Sequence, residues 1–204
     1  MKLIGVVDYG SGNLGSILAV FEALQVYAEV LHNPKKVAEA DLLVLPGVGA
    51  AGMAMKTLNG SGMATALKKR HQAGQPILGI CLGAQLLCDF LSEGNCRGFG
   101  WITGRVEPLK DYPFYNNGWC GLNYRSLRSA GLARALTSAS TFFFNHRYVM
   151  GRDSKMRCVA VEGRPDIPAI YLNKTICAVQ FHPEKSQRDG QILLRNILED
   201  HFGL

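Results

Sequence analysis

The sequence contains no hydrophobic run approaching the ~18 residues that a membrane-spanning helix requires, although 48% of its 204 residues are hydrophobic. The apolar stretch after Lys2 reaches Asp8 too early for a secretory signal peptide, so we expect a first strand there instead. These absences predict a cytoplasmic protein that does not associate with a membrane. A chain of this length is expected to fold as one domain, residues 1–204.

Paired-cysteine motifs are missing as well. The six cysteines include no C-x-x-C pair and no cluster with histidine of the kind that binds zinc. In a reducing compartment such cysteines remain thiols. The sequence therefore predicts neither a metal site nor a disulfide framework.

Positive charge exceeds negative charge, with a formal net charge of +6, but it is not concentrated in one segment. Lys68, Lys69 and Arg70 form the one tight basic run, near the end of a predicted helix. No aromatic residues interleave with them, as stacking on nucleic-acid bases would require. We interpret the run as a solvated helix face and predict no nucleic-acid partner.

Strand and helix signals alternate through the first hundred residues. Asn13 is expected to cap a helix that follows the first strand. This rhythm predicts an α/β fold with a mostly parallel sheet flanked by helices on both faces. Shorter strands follow Gly100, a last amphipathic helix begins near Ser186, and we expect this second half to extend the same sheet. The predicted strands are KLIGVVD, YAEVL, DLLVLPG, WITGRVEPL, TFFFNH, RCVAVE, AIYLN and TICAVQF.

The first loop raises the possibility of nucleotide binding. Residues 10–15 read G-x-G-x-x-G between a strand and a helix, the pattern of a dinucleotide-binding turn. That pattern also requires an acid at the end of the second strand, where this chain has Leu31 and His32. Asp8 would in addition oppose a pyrophosphate. The alternative interpretation is a tight turn whose glycines allow close helix packing.

A cysteine between two glycines marks the most informative segment, ILGICLGAQLL. An apolar strand ends at Ile80, and helical spacing continues through Leu82, Gln85, Leu86 and Phe90. Gly79 to Gly83 fits the nucleophile-elbow pattern G-x-S-x-G with sulfur in place of the hydroxyl. The pattern predicts Cys81 as a nucleophile on a strand-to-helix turn; a small buried hydrophobe is the alternative.

Candidate partners for this cysteine occur about a hundred residues later, in VQFHPEKS. Pro183 favours an extended conformation for His182, and residues two apart in an extended segment project to the same side. Glu184 is therefore expected beside the imidazole of His182. His182 would take the proton of Cys81, and Glu184 would orient the ring.

Acyl transfer by a cysteine also requires hydrogen-bond donors for the oxyanion. The N–H of Leu82, directly after the nucleophile, is one candidate. The glycine-containing loop Pro46–Ala50 follows another strand and would supply the second donor from Val48 or Gly49. The same loop sequence is also typical of an ordinary turn.

Together these residues resemble the class I, triad-type glutamine amidotransferases, which have a flavodoxin-like fold. The segments DYGSGNLGS, LPGVGA, GICLGAQLL and FHPEKS carry the resemblance across the whole chain. Within the family, the first and second segments are similar to those of the glutaminase subunits of imidazole glycerol phosphate synthase. The resemblance implies that the first-loop glycines are structural.

The resemblance further implies an activity and its partners. Cys81, His182 and Glu184 would hydrolyse L-glutamine through a thioester without a cofactor, and a (β/α)₈-barrel cyclase subunit would receive the ammonia in a heterodimer. The implied glutamine pocket contains Gln85, His146, Arg147 and Tyr148.

Two departures from the family pattern leave the pathway open. The family usually has P-H-x-G-W-N where this chain has Tyr115 to Cys120, and H-S-Y where it has His146-Arg147-Tyr148. One alternative is a paralogue that feeds ammonia to a synthase acting on a surface sugar. The others are an elbow-cysteine hydrolase unrelated to glutamine and a catalytically silent interaction subunit.

Overall fold

A computed structural model of the protein describes residues 2–10, 13–109 and 116–204. Seven of the described strands form one sheet, in the order β11-β12-β13-β4-β3-β1-β2. The five strands from β2 to β13 run parallel, and β12 and β11 are antiparallel at one edge. The predicted mostly parallel α/β sheet is thus confirmed. The strands are β1 (Ile4–Val7), β2 (Ala28–Leu31), β3 (Leu42–Leu45), β4 (Ile77–Ile80), β11 (Arg157–Val161), β12 (Arg164–Leu172) and β13 (Ile176–Val179).

Helices cover both faces of this sheet, because alternate strand residues are apolar on each side. On one face, Phe21 and Leu194 pack with Ile4 and Val44. On the other, Leu58 and Leu67 pack with strand residues that include Leu43. In the described ranges no helix is long and apolar enough to cross a membrane. The helices of the two layers are α1 (Leu14–Ala23), α5 (Tyr124–Ser129) and α6 (Gln187–Asn196) on the first face, and α2 (Ala51–Gly60) and α3 (Met63–Gln72) on the second.

The second half of the chain extends the large sheet only in part, which corrects the expectation that all its strands would join. A four-stranded sheet, in the order β10-β7-β5-β6, and a two-stranded ribbon, β8-β9, form separately. Among the strands described after Gly100, only β11, β12 and β13 continue the main sheet. The remaining strands are β5 (Cys88–Leu91), β6 (Cys96–Arg97), β7 (Ile102–Pro108), β8 (Asn116–Gly121), β9 (Thr141–His146) and β10 (Tyr148–Met150).

The helix predicted to run from Leu82 through Phe90 is wrong in its length. Helix α4 covers only Leu82–Gln85, and β5 begins three residues later at Cys88. Leu86, Leu87 and Cys88 are all buried, so an apolar run that spans a helix and a strand imitates helical spacing.

The basic run at the end of α3 is a solvated face only at Lys68 and Lys69. Arg70 is buried instead, and its guanidinium donates hydrogen bonds to backbone carbonyls of Val37, Ala40, Asp41 and Pro76. Burial lowers the pKa of Arg70 to about 10. The interpretation of the whole run as solvated is therefore wrong for Arg70, which ties α3 to the segment before β3.

Candidate active site

Cys81 follows β4 directly and occupies a strained backbone turn, with φ 51° and ψ −110°. Such a conformation is costly for a residue with a side chain and is typical of nucleophile elbows. The flanking glycines are required sterically: a Cβ on Gly83 would lie 1.8 Å from the carbonyl oxygen of Leu45, and one on Gly79 would lie 2.8 Å from Cα of Ala84. The turn therefore holds Cys81, which is 6% exposed, at the carboxyl end of the sheet.

His182 and Glu184 lie beyond the end of β13, the strand next to β4. His182 is extended, with φ −105° and ψ 90°, and its N–H donates to the carbonyl of Phe143. Nδ1 of His182 lies 2.8 Å from Oε1 of Glu184, and both side chains are almost fully buried. Pro183–Lys185 forms a 3₁₀ turn rather than an extended segment. The expected contact is present, but the turn produces it, not the same-side geometry of a strand.

The electrostatics of His182 depend on Cys81. Burial alone disfavours the imidazolium, but hydrogen bonds and charges from Cys81 and Glu184 outweigh it and raise the pKa of His182 to about 9. Because Nδ1 contacts Glu184, Nε2 is the ring nitrogen left for the sulfur, and this buried atom has no hydrogen bond of standard geometry within the described ranges. The arrangement suits transfer of a proton between Cys81 and His182.

This dependence predicts a pH effect that can be measured. In a Cys81→Ala variant the pKa of His182 should fall, because Cys81 contributes more than Glu184 to raising it and is now absent. Ring-nitrogen NMR titration would measure the shift. His146 provides an internal reference, since burial lowers its pKa to about 4 and it should not move into the same range. An unchanged His182 titration would contradict the proposed contact with the sulfur.

Asn13 joins this group, which the sequence did not reveal. It stands at the N-cap position of α1 but in the left-handed conformation, with φ 67°, and its side chain caps nothing. The predicted capping role is therefore wrong. Its Nδ2 instead donates to Oε1 of Glu184. The available signal was its position at the carboxyl end of β1, where parallel strands bring functional residues together.

The loop after β3 is fixed at both ends and open in the middle. The Tyr9 hydroxyl donates to the carbonyl of Pro46, and the N–H of Ala51 donates to Oε2 of Glu93, 2.9 Å away. A Cβ on Gly47 would lie 2.7 Å from Cβ of Leu82, so the loop packs directly on the elbow. Gly49 has φ +110° and open space around it. The predicted loop thus lies beside Cys81 with its most adaptable residue next to Val48.

A cavity of about 270 Å³ opens at Cys81 and contains the predicted pocket residues. The side-chain NH₂ of Gln85 donates both of its hydrogens within the protein, to the carbonyl of Tyr148 at 2.9 Å and to Oε1 of Gln180 at 3.1 Å. Arg147 is exposed at the cavity wall. Sequence reasoning missed Glu93, which also lines the cavity. Larger cavities exist, including one of about 710 Å³, but that cavity shares no lining residue with this one. The lining consists of Val48, Gly49, Cys81, Leu82, Gln85, Glu93, Asn145, His146, Arg147 and Tyr148.

His146 is buried and neutral. Its Nδ1 lies 2.8 Å from the carbonyl of Tyr148, which can only accept, so Nδ1 carries the hydrogen. Burial and the charge of His182 hold its pKa down at about 4, against the opposing effect of the Tyr148 carbonyl. His146 is therefore suited to shaping the pocket wall rather than to carrying charge near neutral pH.

Similarity to known proteins shows the family of this chain. The family model "Glutamine amidotransferase class-I" matches residues 5–200. The chain belongs to this family. It is 36% identical over 200 residues to the imidazole glycerol phosphate synthase subunit HisH 2 of Prochlorococcus marinus (strain MIT 9313), covering 96% of this chain and 93% of the relative. It is 38% identical to subunit HisH of Symbiobacterium thermophilum, with the same coverage.

Two solved glutamine amidotransferases share its fold. One glutamine amidotransferase superposes with a TM-score of 0.77 at 18% identity, covering 98% of this chain and 99% of that structure. A glutamine amidotransferase from Thermotoga maritima gives a TM-score of 0.72 at 17% identity, covering 100% and 99%. The predicted resemblance and fold class are both confirmed.

Proposed function

We propose that this amidotransferase is the glutaminase subunit of an imidazole glycerol phosphate synthase, hydrolysing L-glutamine and supplying ammonia to a cyclase subunit. The observation that carries the proposal is the contact between His182 and Glu184 beside the strained Cys81, which itself lines a cavity of about 270 Å³. The relatives that bear the subunit's name cover nearly the whole chain.

Cys81, His182 and Glu184 have the main chemical roles. The Cys81 thiolate attacks the side-chain amide carbon of glutamine, and the His182 imidazolium protonates the departing nitrogen, so that ammonia leaves and a thioester remains. His182 then takes a proton from water, hydroxide adds to the thioester, and glutamate and the thiolate are released. Glu184 fixes the His182 tautomer and stabilises its positive charge.

Each tetrahedral intermediate places negative charge on an oxygen near the elbow. The N–H of Leu82 belongs to the first turn of α4, where backbone donors have no partner within the helix. A second donor comes from Val48 or Gly49 in the adjoining loop. These backbone groups stabilise the oxyanion without a metal or an organic cofactor.

The pocket matches a zwitterionic amino acid. Glu93 has one carboxylate oxygen engaged by Ala51, and its charge suits the α-ammonium of glutamine. The exposed guanidinium of Arg147 suits the α-carboxylate. Since both hydrogens of the Gln85 amide are engaged internally, its carbonyl oxygen is the atom that accepts from the substrate. His146 and Tyr148 form the wall behind Gln85.

The ribbon β8-β9 provides a face for the synthase partner. Trp119 on β8 is 48% exposed and packs edge-on against Phe143 of β9, with ring centroids 5.8 Å apart. Along β9, the carbonyl of Asn145 lies 4.0 Å from Sγ of Cys81, so this face adjoins the site where ammonia forms. Free ammonia is largely protonated at neutral pH and is then not nucleophilic. A partner bound at this face would receive the ammonia directly, before it is protonated. We infer that this partner is a (β/α)₈-barrel cyclase, which forms a cytoplasmic heterodimer with the chain.

Coupling to that partner should be strong. The isolated subunit should hydrolyse glutamine slowly, and the rate should rise at least about tenfold with the barrel subunit and its ligand, a coupling of ~1.4 kcal/mol. The physical reason is that hydrogen bonds hold the loop at Pro46 and at Ala51, whereas Gly49 has open space around it, so Val48 and Gly49 can rearrange their donors. Steady-state glutamate release, with and without the partner, measures this effect.

A matched glycine pair locates the response. Gly49→Ala should reduce the activated rate, because an L side chain at φ +110° strains the loop. Gly60→Ala, at the end of α2 with open space and without a positive φ, should leave it unchanged. Equal activation of both variants would exclude the loop as the responsive element.

The pathway itself is tested in cells. Complementation of a histidine auxotroph that lacks its own glutaminase subunit, at low ammonia, should restore growth. Arg147 and the Asn116-Asn117 departure favour, as a second candidate, a paralogue serving a synthase that modifies a surface sugar. Failure of a folded, well-expressed protein to rescue growth would support that candidate.

A further inference from the structure

Gln180 connects the nucleophile to the wall of the glutamine pocket. It follows β13 directly, its side chain is completely buried, and its N–H donates to the carbonyl of Ala169. Its Nε2 lies 4.0 Å from Sγ of Cys81, and its Oε1 lies 3.1 Å from Nε2 of Gln85. A buried carboxamide is retained in an interior only when its polar atoms have partners. Here those partners are the proposed nucleophile, Cys81, and a side chain of the proposed glutamine pocket, Gln85.

The orientation of both carboxamides follows from one backbone group. The carbonyl of Tyr148 can only accept, so the Gln85 atom 2.9 Å away must be the NH₂. The second hydrogen of that NH₂ requires an acceptor, which fixes Oε1 of Gln180 toward Gln85. The NH₂ of Gln180 is therefore the group directed at the sulfur. The chain of contacts runs from Tyr148 through Gln85 and Gln180 to Cys81.

We propose that Gln180 is a positioning residue for this reaction, which orients the Cys81 sulfur and favours its thiolate through an N–H directed at it. The inference rests on the proposed glutaminase function. A donor bonds more strongly to a charged acceptor than to a neutral one, so the contact strengthens when the thiol ionises. Gln180 also bridges the sulfur and Gln85, so the distance between the attacking atom and this pocket residue stays fixed.

Gln180→Met tests this role, because it keeps the length and removes the donor. Alkylation of Cys81 by iodoacetamide, followed peptide by peptide with mass spectrometry, reports the thiolate without requiring glutamine turnover. The pH midpoint of alkylation at Cys81 should rise by about one unit, as expected for loss of one hydrogen bond to a charged group. With the partner present, kcat should fall about tenfold while KM changes less. Gln72→Met, at the exposed end of α3, is the matched control and should behave as wild type.

A second variant guards against loss of folding in the first. Gln180→Glu keeps the shape and places a carboxylate near the sulfur, so its alkylation midpoint should rise further than that of Gln180→Met. If Gln180 only fills space in the interior, its replacement should change the melting temperature but not the pH profile of alkylation at Cys81. If folded Gln180→Met and Gln180→Glu both alkylate at Cys81 with the wild-type pH profile, while the wild-type enzyme hydrolyses glutamine, the proposed role of Gln180 is overturned. The proposed glutaminase function would then still stand. Absence of glutamine hydrolysis by the wild-type complex would instead overturn the proposed function.

Discussion

Replacement of Cys81 by alanine is expected to lower glutamine hydrolysis by at least about 10⁴-fold, because no other group can form the thioester. Cys81 is the cysteine held on the strained elbow beside His182. Cys88, by contrast, lies in apolar surroundings, and burial with nearby acids raises its pKa to about 12, so it is a thiol at neutral pH. Glutamate release by the purified complex measures the loss.

Cys88→Ala is the matched control for this experiment. It removes a buried thiol seven residues away in the same segment and should retain glutamine hydrolysis if the variant folds, as circular dichroism would check. If Cys81→Ala kept substantial turnover while remaining free of wild-type contamination, the nucleophile would have to be another residue.

The second large effect is the difference in activity loss between variants of His182 and of Glu184. His182→Ala should be nearly as damaging as Cys81→Ala, because proton transfer fails in both half-reactions. Glu184→Gln should cost less, since the base remains and the amide can still accept from the ring. It also leaves a partner for Asn13, whose Nδ2 contacts the same carboxylate oxygen. Rates of glutamate release by the two purified complexes provide the comparison.

Equal losses in the two variants would argue against an orienting role for Glu184 and for a direct part in proton transfer. Asn13→Ala refines the test, because it removes one contact to Glu184 and leaves His182 intact. Its loss should be smaller than that of Glu184→Gln, since a remote hydrogen bond contributes less than the carboxylate charge.

Local patterns explain why much of the architecture could be predicted. Strand β4 and the turn at Cys81 are encoded within a few residues, and the structure has both as expected. The close backbone atoms around Gly79 and Gly83 explain why the pattern has glycine at these two positions. The contact of His182 with Glu184 was also foreseeable, because the two residues are neighbours in sequence. The alternation of strands and helices likewise specifies the parallel sheet.

The missed features depend on long-range contacts. Asn13 and Glu184 are 171 positions apart, and Gln180 and Cys81 are 99 apart, so no local pattern pairs them. The burial of Arg70 follows from carbonyls supplied by distant segments, although its sequence neighbours are exposed lysines. The early end of α4 reflects β5 joining another sheet, where tertiary pairing overrides helical spacing.

The most direct test of the account is glutamate release from L-glutamine by the purified chain together with its barrel partner and the partner's ligand. We expect turnover that is at least about tenfold faster than for the chain alone and that disappears in Cys81→Ala. A correctly folded complex that forms no glutamate under these conditions would contradict the assignment of this chain as a glutaminase subunit.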